Sequence, residues 1–94
     1  KYNGTNTKIG IIFIDIDNFK YFNDKFGHKV GDEVIKIVSA KIKESIREMD
    51  FAFRYGGDEF VVMIFSQPKD VVLKVAERIF DNISNYHSDL FGHI

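Results

Sequence analysis

Cysteine is absent from the 94 residues, which excludes disulfides and thiolate metal sites and is compatible with a cytosolic setting. No apolar run approaches the roughly 18 residues of a membrane span, and the opening Lys1-Tyr2-Asn3-Gly4 is no signal peptide. Basic charge is not in excess either. A formal net charge of −1 leaves no field for nucleic acid or an anionic membrane surface. Internal repeats and low-complexity segments are missing as well. What remains is one small soluble domain at most, with 45% hydrophobic and 29% charged residues, an ordinary globular composition with limited core area.

Within that frame the informative stretch is Arg54-Tyr55-Gly56-Gly57-Asp58-Glu59-Phe60. Aromatic and β-branched runs flank it, Phe51 to Phe53 before and Phe60 to Phe65 after, as strands prefer. Two glycines between such runs predict a β-hairpin over 51–65 with a tight two-residue turn at φ > 0. Asp58 and Glu59 then stand side by side where the second strand begins. Adjacent carboxylates repel unless a cation or a proton lies between them. A solvated hairpin tip is the simpler explanation for a lone Gly-Gly-Asp-Glu, but the upstream sequence argues against it.

Ile9 to Ile14 is a nearly continuous apolar run, as expected of a strand (9–15) covered on both faces. It ends in Asp15-Ile16-Asp17, and strand alternation puts the two aspartates on one side. If the strands are neighbours, three or four carboxylates converge, and hard divalent cations need that kind of oxygen-rich site. Asn18 can cap a helix over 19–26, leaving free backbone N–H groups just after the carboxylates, where phosphate oxygens and Lys20 would suit one another. Lys20 alone would more simply be a solvated helix lysine.

Phe26-Gly27-His28 breaks this helix, with Gly27 in a conformation closed to other residues. A second helix is predicted over 30–49, its buried stripe Val34, Ile35, Val38, Ile42, Ile46 and Met49. Asn23 and Asp32 flank the break. An amide with a carboxylate suits the Watson–Crick edge of guanine, though such residues more often cap helices. His28 is assigned no catalytic role. Ser66-Gln67-Pro68 ends the hairpin, and a third helix over 68–86 buries Val72, Val75, Ala76, Ile79 and Ile83. The polar residues 1–8 read as a frayed lead-in, and 87–94 show no period. Strand, helix pair, two strands and helix predict an α+β fold, a mixed or antiparallel sheet with helices packed on it.

Asp15-Ile-Asp-Asn-Phe-Lys20, Asn23-Asp24, Gly27-His28, Gly31-Asp32 and Arg54-Tyr-Gly-Gly-Asp-Glu-Phe60 together resemble the GGDEF family of diguanylate cyclases, in order and spacing, from roughly Ile9 to Phe65. The resemblance implies a palm-like, ferredoxin-related fold and the condensation of two GTP into cyclic di-GMP with release of pyrophosphate. It implies Mg²⁺, two per active site, on Asp15, the Ile16 carbonyl, Asp58 and Glu59. Mn²⁺ is not separable from Mg²⁺ by oxygen ligands alone. Glu59 is either a second-metal ligand or the group that receives the hydroxyl proton, and Asp17 is the less certain ligand.

The same resemblance carries guanine binding to Asn23 and Asp32, terminal-phosphate contact to Lys20, and close phosphate approach to Gly56 and Gly57. Arg47-Glu48-Met49-Asp50 matches the family's RxxD site for inhibition by cyclic di-GMP, with Arg54 as an assistant. Capping by Arg47 and Asp50 at a helix end is the simpler alternative. The working form implied is a two-fold homodimer in the cytoplasm, without nucleic acid or membrane contact from this segment, and with any membrane anchor elsewhere. A silent domain that senses GTP or cyclic di-GMP is the alternative, and a palm-type polymerase or nuclease fragment a remote third. Against the family pattern the chain is expected to be a partial domain, inactive alone. One edge of its first strand is then unpaired, so a sharp monomeric peak with cooperative melting is not expected.

Overall fold

The computed structural model describes residues 8–88 and 92–93; the lead-in expected over 1–8 lies outside these except for Lys8. Chain order is β1 (Ile9–Asp15), α1 (Phe19–Phe26), α2 (His28–Ser45), β2 (Phe51–Arg54), β3 (Glu59–Phe65), α3 (Lys69–Ser84), β4 (His87–Ser88) and β5 (Gly92–His93). β1, β3 and β2 form an antiparallel sheet in that spatial order, with β3 central. The α+β expectation holds. β4 and β5 make a separate two-stranded pair within a stretch for which the sequence suggested no element.

Helices cover one face of the sheet. Phe60, Val62 and Ile64 of β3 point into it, against Val34, Val38 and Ile42 of α2 and Val75 and Ile79 of α3. Five of these side chains are essentially sealed: Val34, Val38, Ile42, Val62 and Ile64, and each contributes about 2 kcal/mol of burial. Gly10 lets β1 approach α3, because a Cβ there would sit 2.5 Å from Val72 Cγ2. The opposite face is uncovered among the described residues. Ile9, Ile11 and Phe13 are exposed on it, beside Phe51 and Phe53 of β2. β1 is therefore packed on one face rather than two, and its burial alternates residue by residue.

Three local expectations need correcting. α2 ends at Ser45, not at residue 49, since Ile46 is extended and residues 47–50 turn back towards β2. Met49 consequently lies exposed instead of continuing the stripe. Asn18 is in the left-handed region (φ 59°) and makes no side-chain cap, an Asn-tolerated conformation that turns the chain from β1 into α1. The hairpin glycines take no positive φ, because the connection between β2 and β3 spans residues 55–58 rather than a tight two-residue turn.

Gly27 behaves as expected, at φ 91° and ψ 168° between α1 and α2. That region is essentially reserved for glycine. Gly27→Ala should therefore destabilise the fold by about 1–3 kcal/mol, read from urea unfolding, although a Cβ would meet nothing within 4 Å. A loss below a few tenths would mean that the junction relaxes freely. No helix among the described residues is long and apolar enough to cross a membrane.

Candidate active site

Antiparallel pairing of β1 and β3 sets Asp15 opposite Glu59 at one end of the sheet. The Ile16 N–H donates to the Asp58 carbonyl at 3.0 Å, extending the register one step past the strands. Asp58 is thereby drawn beside Asp15. The Asp15 carboxyl is pushed up from its ordinary value by loss of hydration, by the charge of Asp58, by a hydrogen bond with the Asp58 carboxyl and by the charge of Asp17. Two carboxyl groups set side by side in this way have the donor chemistry of a hard-metal site.

The expected convergence of three or four carboxylates is, as placed, this pair. Among the described residues no three His, Cys, Asp or Glu side chains stand together as a metal-holding group. Glu59 shares the face of Asp15 by register, but its carboxylate lies back over the loop, where a Cβ on Gly56 would sit 2.6 Å from Glu59 Oε1. Gly57 faces open space, with nothing within 4 Å of where a Cβ would be. The loop itself is held from inside. Arg54 donates from Nε to the Gly56 and Gly57 carbonyls at 3.1 and 3.2 Å and from Nη2 to Gly57 at 2.6 Å. Its guanidinium is thus committed to the hairpin, a role the sequence reading did not assign it.

Lys20 is exposed on the first turn of α1, Asn23 is half-buried on its second, and Asp32 is exposed on α2. Gly31, next to Asp32 in the chain, lets Asn23 pack against α2, since any Cβ there would fall on Asn23 Oδ1. His28 is exposed at the start of α2.

At the other end of β3 lies Arg47–Asp50. Asp50 Oδ2 accepts from the backbone N–H and Nε of Arg47, both at 3.0 Å. Its Oδ1 accepts from Arg47 Nη2 at 2.9 Å and from the Phe65 N–H at 3.2 Å. Arg47 Nη2 also reaches the Phe65 carbonyl at 2.7 Å. Arg47 holds the Asp50 carboxyl below the usual range, the two backbone donors assisting against the cost of burial. The carboxylate is 1% exposed, the guanidinium side chain 41%. Asp50 is spent on the fold, while Arg47 still presents itself outward. Arg78 of α3 lines the same cavity of about 180 Å³ as Arg47 and Asp50. Sequence reading missed Arg78 because no local pattern links it to a turn three elements earlier.

The family model of the GGDEF domain of diguanylate cyclases matches residues 1–92. The chain is 42% identical over 77 residues to the diguanylate cyclase DosC of Escherichia coli K12, covering 82% of this chain and 17% of that protein. It is 54% identical over 56 residues to the diguanylate cyclase DgcS of Shewanella oneidensis, covering 60% and 19%. Among solved structures, the active GGEEF domain of a Vibrio cholerae diguanylate cyclase superposes with a TM-score of 0.84 at 32% identity, covering 90% of this chain and 55% of that one. The GGDEF domain of Caulobacter crescentus DgcB, solved with c-di-GMP, gives 0.82 at 38% identity, covering 87% and 47%. The chain thus spans 17% of its first curated relative and roughly half of these solved chains.

Proposed function

The chain belongs to the GGDEF-domain family of diguanylate cyclases, and on that premise we propose that it takes part in condensing two GTP molecules into cyclic di-GMP and pyrophosphate. The observation that carries this reading is the Asp15–Asp58 pair at adjoining strand ends. Asp15, Asp58 and the Ile16 carbonyl are the oxygen donors for Mg²⁺ or Mn²⁺, and Glu59 is the further ligand or the proton acceptor. The repulsion within the pair and its all-oxygen character fit such an ion. Bound there, two ions would activate the attacking oxygen and neutralise the leaving group.

The protein's own share is positioning. Asn23 and Asp32 hold the guanine edge, Lys20 the terminal phosphates, and the Gly56-Gly57 loop the backbone of the triphosphate. The 3′-oxygen of each GTP forms a bond to the α-phosphorus of the other while pyrophosphate leaves, with the hydroxyl proton passing to Glu59 or solvent. Two sites must face each other, so the working form is a two-fold homodimer, in the GTP-containing cytoplasm. Cyclic di-GMP then acts back through Arg47, which the buried Asp50 holds in place, with Arg78 on the same cavity.

The deciding experiment is incubation, with GTP and Mg²⁺, of a segment long enough to complete the domain, and identification of products by mass. Cyclic di-GMP with pyrophosphate supports the reading. Tight nucleotide binding without product would move the protein to a sensing role. Gly31→Ala supplies a separate check on the guanine pocket. Its methyl would displace the Asn23 amide, so KM for GTP should rise about tenfold, whereas an unchanged KM would remove Asn23 from the site.

A further inference from the structure

A second surface lies along the outer edge of the sheet, at β2. β2 pairs only with β3 among the described residues. Tyr55 donates to the Glu59 carbonyl at 2.7 Å. By antiparallel alternation the ladder bonds therefore fall on Phe53 and Phe51, and the N–H and C=O groups of Ala52 and Arg54 point away from β3. Beside this free edge, α2 and β2 enclose a groove of about 390 Å³. Its floor is apolar, from Ile35, Ala52 and Phe60. Lys36, Ala40 and Lys43, spaced i, i+4, i+7, form its helical wall.

The charge around this groove has one sign. Lys36, Lys43 and Arg54 line it and no aspartate or glutamate does, in a chain whose net charge is −1. Neither lysine has an ion-pair partner among the described residues. Arg54 is held by loop carbonyls, which are neutral, so its charge also stays uncompensated. On the opposite side of the same edge, Phe51 and Phe53 are 59% and 41% exposed.

We propose that the edge of β2 receives an extended acidic peptide segment, which adds to the sheet as a further strand. Backbone bonds to Ala52 and Arg54 give such a segment its register. Its alternate side chains enter the groove, acids towards Lys36 and Lys43, while the others cover Phe51 and Phe53. The charge pattern selects an acidic segment over a second copy of this edge, which would bring like charges together.

The test uses a fluorescein-labelled nine-residue peptide alternating valine and glutamate, titrated into the protein by fluorescence anisotropy. A twin with lysine for every glutamate is the control. Binding by the acidic peptide alone, weakened at high salt and at least about tenfold by Lys36→Glu with Lys43→Glu, supports the proposal. Lys36→Gln with Lys43→Gln, which introduces no repulsion, should weaken binding in the same direction if the first variant folds poorly. Amide exchange at Ala52 and Arg54 should slow about tenfold or more in the complex. Equal binding of the lysine peptide, indifference to both double variants, or unchanged exchange at Ala52 in the bound state would each overturn it. Self-association that the glutamate variants abolish and the acidic peptide does not compete would assign the edge to a second copy instead.

Discussion

Asp58→Asn is expected to suppress GTP condensation at least on the order of 1,000-fold, about 4 kcal/mol of barrier, while leaving the fold intact. The substitution removes one charge and no volume. The bond that places residue 58 runs from the Ile16 N–H to the Asp58 carbonyl, so the backbone is indifferent to it. Because Asp58 raises the pKa of Asp15 by repulsion and by hydrogen bonding, the variant without divalent cation should melt no lower than the parent. Adding Mg²⁺ should then raise the melting temperature of the parent and not of the variant, since binding to the folded state alone stabilises it. Calorimetry with and without Mg²⁺, beside product analysis by mass, separates a metal role from a folding role. Near-parental turnover in the variant would remove Asp58 from the chemistry.

Replacing Asp50 should produce a large loss of stability. Asp50→Ala deletes four accepted hydrogen bonds, leaves the Phe65 N–H without its acceptor and frees the 46–50 turn from the end of β3. We expect about 2–3 kcal/mol and a melting temperature lower by roughly 10–20 °C in a domain of this size. Arg47→Ala should cost a similar amount by another route, because a carboxylate only 1% exposed is left with two backbone donors.

The sign of the pH dependence follows from the depressed Asp50 carboxyl. Its stabilisation is complete above the unfolded value of about 3.9 and is lost as pH falls through the lower folded value. Acid unfolding monitored by circular dichroism should therefore begin at higher pH in Asp50→Ala. Should Arg47 also hold cyclic di-GMP, Arg47→Ala loses product inhibition while initial rates, taken well below its melting temperature, stay unchanged. Persistent inhibition would leave the pair a purely structural clamp.

Several of these features were legible in the chain itself. Apolar runs at strand length, a 3.6-residue stripe through Val34, Val38 and Ile42, and the glycines at the α1–α2 and β2–β3 breaks place every major element within a few residues. The error at the end of α2 is instructive. Ile46 and Met49 continue the helical spacing, yet Asp50 captures the Arg47 backbone and guanidinium and turns the chain. A local capping bond therefore overrode a periodic pattern. The four-residue hairpin loop departs from expectation for a related reason, since Arg54 ties down its carbonyls from the strand.

Sequence by itself determined the kind of chemistry, because motif order and oxygen-only acids depend on residue identity and spacing. It determined also which faces are apolar, through periods of 2 and 3.6. Only the tertiary structure decided which of those groups meet. Pairing of β1 with β3 selected Asp15 and Asp58 from four nearby acids and turned Glu59 aside. Closure of the α2–β2 turn onto β3 made Asp50 a buried fixture and left Arg47 facing out. Both outcomes depend on register between segments 15 or more residues apart, roughly 43 in the first case, and long-range register is a property of packing that no local pattern encodes.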